Sequence, residues 1–196
     1  MLKALALSLM LLLTRTQPVP PPIPHITFAA RVDAKSVAQA IRFLEQANAD
    51  NPQAIVLEIS SPGGEVDAGF LLMKAVERSH APVVCVVDGE AASMAFAILQ
   101  SCSRRAMTTR SSLLAHQISV SVQNFGGNEK DWRNVAEMLR VAGEALDRHC
   151  AHRLHVNFEE YRAKIADGKD WWMTPAEALA VGAVDQVVGT VDEVQP

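Results

Sequence analysis

The chain has 196 residues, 49% of them hydrophobic, and a formal net charge of −4. That is enough apolar material to close the core of one domain. A weakly acidic balance with no cluster of five or six basic residues excludes phosphate-backbone binding as the main task, so no nucleic-acid partner is expected.

The N-terminus reads as a separate unit. Met1-Leu2-Lys3 precedes Ala4 to Leu13, an apolar run broken only by Ser8. One early positive charge and a stretch short of the ~20 residues of a spanning helix fit a secretory signal. No Ala-x-Ala cleavage site follows, and Thr14-Arg15-Thr16 is a weak substitute, so an uncleaved anchor fits too. Residues 1–16 are therefore expected to be a signal peptide or membrane anchor. The protein would then be exported or membrane-anchored, on the periplasmic side in a bacterium; a cytoplasmic chain with an apolar leader is the alternative. Residues 17–25 are dense in proline and read as a stiff extended linker.

From Ile26 strands and helices alternate. Ile26 to Ala30 reads as a short strand, and Asp33 caps a helix with the stripe Val37, Ala40, Ile41 and Leu44. Asn48 to Pro52 is a loop. Ala54 to Ile59 is a strand, and Glu65 to Arg78 a helix with Val66, Phe70, Met73 and Val76 inward. Val83 to Val87 is a strand, and Ser93 to Leu99 a nearly all-apolar helix. Arg105 to Thr108 and Leu113 to Ile118 are further strands. Asp131 to about Leu154 reads as one long helix with Trp132, Val135, Leu139, Ala142, Leu146 and Cys150 on one stripe. Thr174 to Glu177 is a capping box, Gly182 ends that helix, and Val184 to Val188 is a last strand. The alternation predicts an α/β domain over 26–196 with a parallel sheet and right-handed crossovers. Cys85, Cys102 and Cys150 follow no metal or disulfide spacing, and Cys85 reads as a small core residue. His149, His152 and His155 match no common ligand set. No metal and no cofactor is expected.

Three segments carry the chemistry. Gly89-Glu90-Ala91-Ala92-Ser93-Met94 follows a strand and opens a helix, so the Ser93 hydroxyl is presented beside unpaired amide donors. The alternative is that small residues there only let a helix pack on a sheet. Ser61-Pro62-Gly63-Gly64 follows another strand, where paired glycines serve a close approach or an ordinary tight turn. His116 closes a third apolar run; it is a candidate general base or a half-buried polar residue.

In that order, strand-Ser-Pro-Gly-Gly, strand-Gly-x-Ala-Ala-Ser-Met and strand-His-Gln resemble the Clp protease proteolytic subunit. They also resemble its signal peptide peptidase A and phage head-maturation relatives. The resemblance runs from about Ile26 to Val188. It implies a ClpP/crotonase-type fold with a projecting helix, and a serine endopeptidase acting on peptides or unfolded protein. The catalytic residues it implies are Ser93, His116 and Asp170, with the amides of Gly64 and Met94 as oxyanion donors. Asp170 comes from Asp170-Trp171-Trp172-Met173-Thr174; Asp167 lies close enough to confuse the register. The long helix would join subunits into a homo-oligomer. Two departures make a Clp-type ATPase partner doubtful: only leader and proline spacer precede Ile26, and Asp88 stands where an apolar residue is usual. A crotonase-fold acyl-CoA enzyme and a non-catalytic assembly subunit are the alternative functions.

Overall fold

The computed structural model describes residues 22–120 and 126–194. The expected signal or anchor over 1–16 and most of the linker lie outside the described residues. The elements run β1 (His25–Phe28), α1 (Ala34–Ala49), β2 (Ile55–Ser61), α2 (Val66–Glu77), β3 (Val83–Ala92), α3 (Met94–Gln100) and β4 (Arg104–Thr108). Then come β5 (Ser112–Ala115), α4 (Glu129–Arg153), α5 (Phe158–Ile165), β6 (Trp171–Met173), α6 (Pro175–Ala180) and β7 (Gln186–Val188).

Strands β1-β2-β3-β4-β7 pair in that order, all parallel. Parallel neighbours need crossovers, which α1, α2 and α3 supply between the first four strands. The central strands are continuous apolar runs because both faces are covered. Ile55, Leu57, Val83 and Cys85 join the large core under the helices, while Val56, Val84, Val86 and Ala106 join a smaller cluster on the other face with Val188 and Val194.

β3 changes partner along its length. Val84 to Val87 pairs with β4, and Glu90 to Ala92 pairs with β5. The switch falls at Gly89, at φ +112, where a Cβ would lie 2.6 Å from Ser60 Oγ. Asp88, the unusual acid before this glycine, accepts a hydrogen bond from Thr108 Oγ1 at 3.1 Å. Ser111 Oγ accepts from the Gly89 amide and donates to the Val87 carbonyl, so a small polar clamp holds the bend. The sequence reading ends this strand at Val87; the strand continues because β5 offers a ladder that no local pattern displays.

α3 is buried on every side, as a nearly all-apolar helix requires. α4 starts at Glu129, two residues before the expected Asp131, because Asn128 caps it through the Lys130 and Asp131 amides. Only its C-terminal half enters the core, through Gly143, Asp147, Cys150 and Ala151. Met138 and Val141, further toward the N-terminus, are 56% and 53% exposed. β5 stops at Ala115, short of the expected Ile118, while α5 and the antiparallel β6 were not expected at all.

The cysteine reading is also corrected. Cys85 in β3 and Cys102, just past α3, form a disulfide with Cα atoms 5.9 Å apart. It spans β3, the turn at Ser93 and all of α3. Cys150 is the free cysteine and is buried. At the far end of the sheet, buried Arg105 pins the approach to β7: its guanidinium and amide both donate to the Asp185 carboxylate.

Candidate active site

Ser93 stands at the joint between β3 and α3 with φ 55 and ψ −119. Positive φ is unfavourable for a residue with a Cβ, at about 1–3 kcal/mol, so the surroundings must hold it. The Ser93 amide donates to the Leu114 carbonyl of β5 at 2.9 Å, and the Ser93 carbonyl accepts from Ala97 in α3. A strand above, a strand beside and a buried helix below leave the turn one conformation.

The paired glycines pack against this joint. Gly63 has φ +84, and a Cβ on it would fall 2.5 Å from the Ala92 carbonyl oxygen and 2.8 Å from the Met94 amide. Gly64 has φ +153, and a Cβ on it would fall 2.2 Å from the Val32 carbonyl oxygen. The close-approach reading of Gly-Gly therefore stands over the ordinary turn. Val32 bonds to residues on either side of Gly64: its amide donates to Gly63 and its carbonyl accepts from Glu65. Among the described residues neither the Gly64 amide nor the Met94 amide is taken up by a protein acceptor. Two free donors next to a presented hydroxyl are the arrangement that stabilises a developing oxyanion.

Gly64, Ser93, Met94 and His116 line one cavity of about 60 Å³. His116 arrives there because Ala92 pairs with Leu114, and both strands then run one or two residues further to Ser93 and His116. Ser93 and His116 share the cavity without a direct hydrogen bond between them among the described residues. Asp170 is exposed and is not part of the cavity wall. It immediately precedes β6, whose Trp171 pairs with Ala115 of β5. Asp167, the competing acid, sits in a 3₁₀ turn at φ 58, off that ladder. His149, one of the three spaced histidines, is turned instead toward Ser101 at 3.2 Å and Glu77 at 3.8 Å.

Three residues that the sequence reading did not place here also line the cavity: Asp147, Cys150 and Tyr161. Asp147 pairs with Arg162 at 2.6 Å. Burial pushes its carboxyl above the usual carboxylate range despite that partner. Burial likewise pushes the Cys150 thiol up to about 12 and the Tyr161 phenol upward. A signal for Asp147 was present: it lies beside Leu146 and three residues before Cys150, an acid on the buried stripe of α4. Tyr161 lies on α5, a helix the sequence reading did not contain.

The sequence model of the family described as Clp protease matches residues 25–191, and the chain belongs to that family. It is 32% identical over 167 residues to an ATP-dependent Clp protease proteolytic subunit 1 of Chlamydia muridarum (strain MoPn / Nigg), covering 83% of this chain and 85% of that one. The corresponding subunit of Chlamydia abortus is 34% identical over 167 residues, with the same coverage. An ATP-dependent Clp protease proteolytic subunit of Deinococcus radiodurans is 29% identical, covering 82% of this chain and 76% of that one. Among solved structures, a ClpP1 mutant from Listeria monocytogenes superposes with a TM-score of 0.77 at 18% identity, covering 86% of this chain and 92% of that one. The α/β parallel-sheet fold read from the motifs is thus shown, and the coarse activity class is that of a peptidase. The match displaces the crotonase alternative.

The expectation of export or membrane anchoring is corrected. The relatives are named as ATP-dependent, which ties those proteins to an ATP pool, and none of the names quoted above describes an exported or anchored enzyme. No helix among the described residues is long and apolar enough to cross a membrane. The apolar run Ala4 to Leu13 that suggested anchoring is too short to span a membrane.

Proposed function

We propose that this chain is a serine-type endopeptidase subunit that cleaves peptides or unfolded protein segments through Ser93, His116 and Asp170. Ser93 Oγ attacks the peptide carbonyl while His116 takes its proton. The carbonyl oxygen becomes an oxyanion held by the Gly64 and Met94 amides. His116 then protonates the leaving amine, and water completes the cycle by the same route in reverse. Asp170 orients the His116 ring and stabilises it when charged. In the isolated chain Asp170 is exposed, so its carboxylate has to turn inward as the site closes.

The observation that carries this reading is the Ser93 turn. A non-glycine residue held at φ 55, with two uncommitted amides and a histidine on the same small cavity, has no need that packing alone explains. Labelling of Ser93 by a fluorophosphonate, with Ser93→Ala as control, tests it. The half-exposed apolar residues of the projecting α4 support a homo-oligomer in which copies cover one another.

A further inference from the structure

The cavity beside Ser93 has an acidic wall that peptide hydrolysis itself does not use. Asp147 reaches it from α4 and is 4% exposed. Arg162 Nη1 donates to Asp147 Oδ2 at 2.6 Å. Among the described residues Asp147 Oδ1 accepts no hydrogen bond from the protein, and it is not among the buried polar atoms sealed without a partner. Asp147 Oδ1 is thus, among the described residues, an acceptor without a protein donor on a residue that lines the cavity. Arg162 also fixes the chemistry of that oxygen. Paired with the Arg162 guanidinium, Asp147 is read as a carboxylate, so its Oδ1 is an acceptor and the pair as a whole is neutral. The remaining wall mixes apolar Met94, Ala97 and Leu146 with the polar groups of Ser119, Cys150 and Tyr161.

We propose that Asp147 determines specificity at this site. In the peptidase reading, on which this rests, Asp147 Oδ1 accepts a hydrogen bond from the substrate side chain that precedes the scissile bond, the P1 residue. The preferred P1 side chain is compact, to fit a cavity of about 60 Å³, and carries a neutral donor such as a carboxamide or hydroxyl. A P1 carboxylate is disfavoured, because its charge would stand against the Asp147 carboxylate oxygen.

Three fluorogenic peptides identical except for Asn, Leu or Asp at P1 test this, because those side chains are close in size. The wild-type enzyme should rank them Asn, Leu, Asp in kcat/KM, with roughly tenfold between steps. In Asp147→Asn the single carbonyl oxygen stays on Arg162, so the NH₂ group faces the cavity. The Asp peptide should then gain about tenfold or more relative to the Leu peptide. Arg162→Lys keeps the pair and should keep the wild-type order. Equal wild-type rates for the three peptides would overturn the proposal, as would an unchanged Asp-to-Leu ratio in folded Asp147→Asn. If Asp147→Asn does not fold, the wild-type ranking still decides. Fluorophosphonate labelling run in parallel separates two failures. An unlabelled Ser93 sinks the peptidase reading and this inference with it; a labelled Ser93 with no P1 discrimination sinks this inference alone.

Discussion

Ala115 and Trp171 are cross-strand partners in the antiparallel pair β5–β6, which sets His116 and Asp170 opposite each other one step further on. Directly opposed residues in an antiparallel pair project from the same face. This register supports the proposed role of Asp170 as the acid that orients the His116 ring, although its carboxylate is exposed in the isolated chain. Asp170→Asn should lower kcat about 10³–10⁴-fold with KM little changed. Asp167→Asn should leave both near wild type. Steady-state peptide hydrolysis by the two variants decides; equal losses, or a loss in Asp167→Asn alone, would contradict the assignment.

Gly63 is where backbone meets backbone behind the nucleophile. Adding a Cβ at φ +84 against the Ala92 carbonyl and the Met94 amide pushes the turn away from Ser93. Gly63→Ala should cut peptide hydrolysis by about 10²-fold or more, the effect of misplacing one oxyanion donor. Circular dichroism should still show the wild-type secondary structure. Full activity in Gly63→Ala would mean that the glycine turn does not shape the site.

What was legible in the sequence was local. The Ser93 turn, the glycine pair and His116 each sit at the end of an apolar run, and each run is a strand whose neighbours in sequence announce it. The extension of β3 to Ala92 was hidden because Gly89 reads as punctuation, and only β5, twenty residues on, supplies the ladder. β6 has three residues and exists through its partner. Asp147 reaches the cavity from the buried stripe of α4, which the sequence shows, whereas Tyr161 reaches it because α5 folds back on α4, a long-range event with no local mark. The Cys85–Cys102 pair is a case of the same kind: a strand and a helix have to be laid against each other before the two sulfurs meet.

That disulfide closes a loop of 17 residues around Ser93 and should stabilise the chain by about 3 kcal/mol. Alkylation of the unreduced, denatured protein should block one cysteine, Cys150, and mass spectrometry should find Cys85 joined to Cys102. Reduction should lower Tm by roughly 5–10 °C. Three alkylated cysteines in unreduced protein would contradict the pairing.

The exposed apolar face of α4 should hold copies together. Light scattering of the wild-type protein should give a closed multimer, and Met138→Glu with Val141→Glu should shift it toward monomer. Both positions are on the half of α4 that leaves the core, so the far-ultraviolet spectrum should not change. Peptide hydrolysis should fall with the multimer if closure of the site depends on it. A monomeric and fully active wild-type protein would contradict this account.

The most direct test is covalent. A fluorophosphonate probe should label the wild-type protein on one residue, and peptide mapping should place the adduct on Ser93. Ser93→Ala should remain unlabelled and His116→Ala should label far more slowly, because the probe needs a hydroxyl whose proton is being taken. A wild-type protein that hydrolyses peptides yet takes no label on Ser93, or a Ser93→Ala variant that keeps substantial peptidase activity, would contradict the central claim.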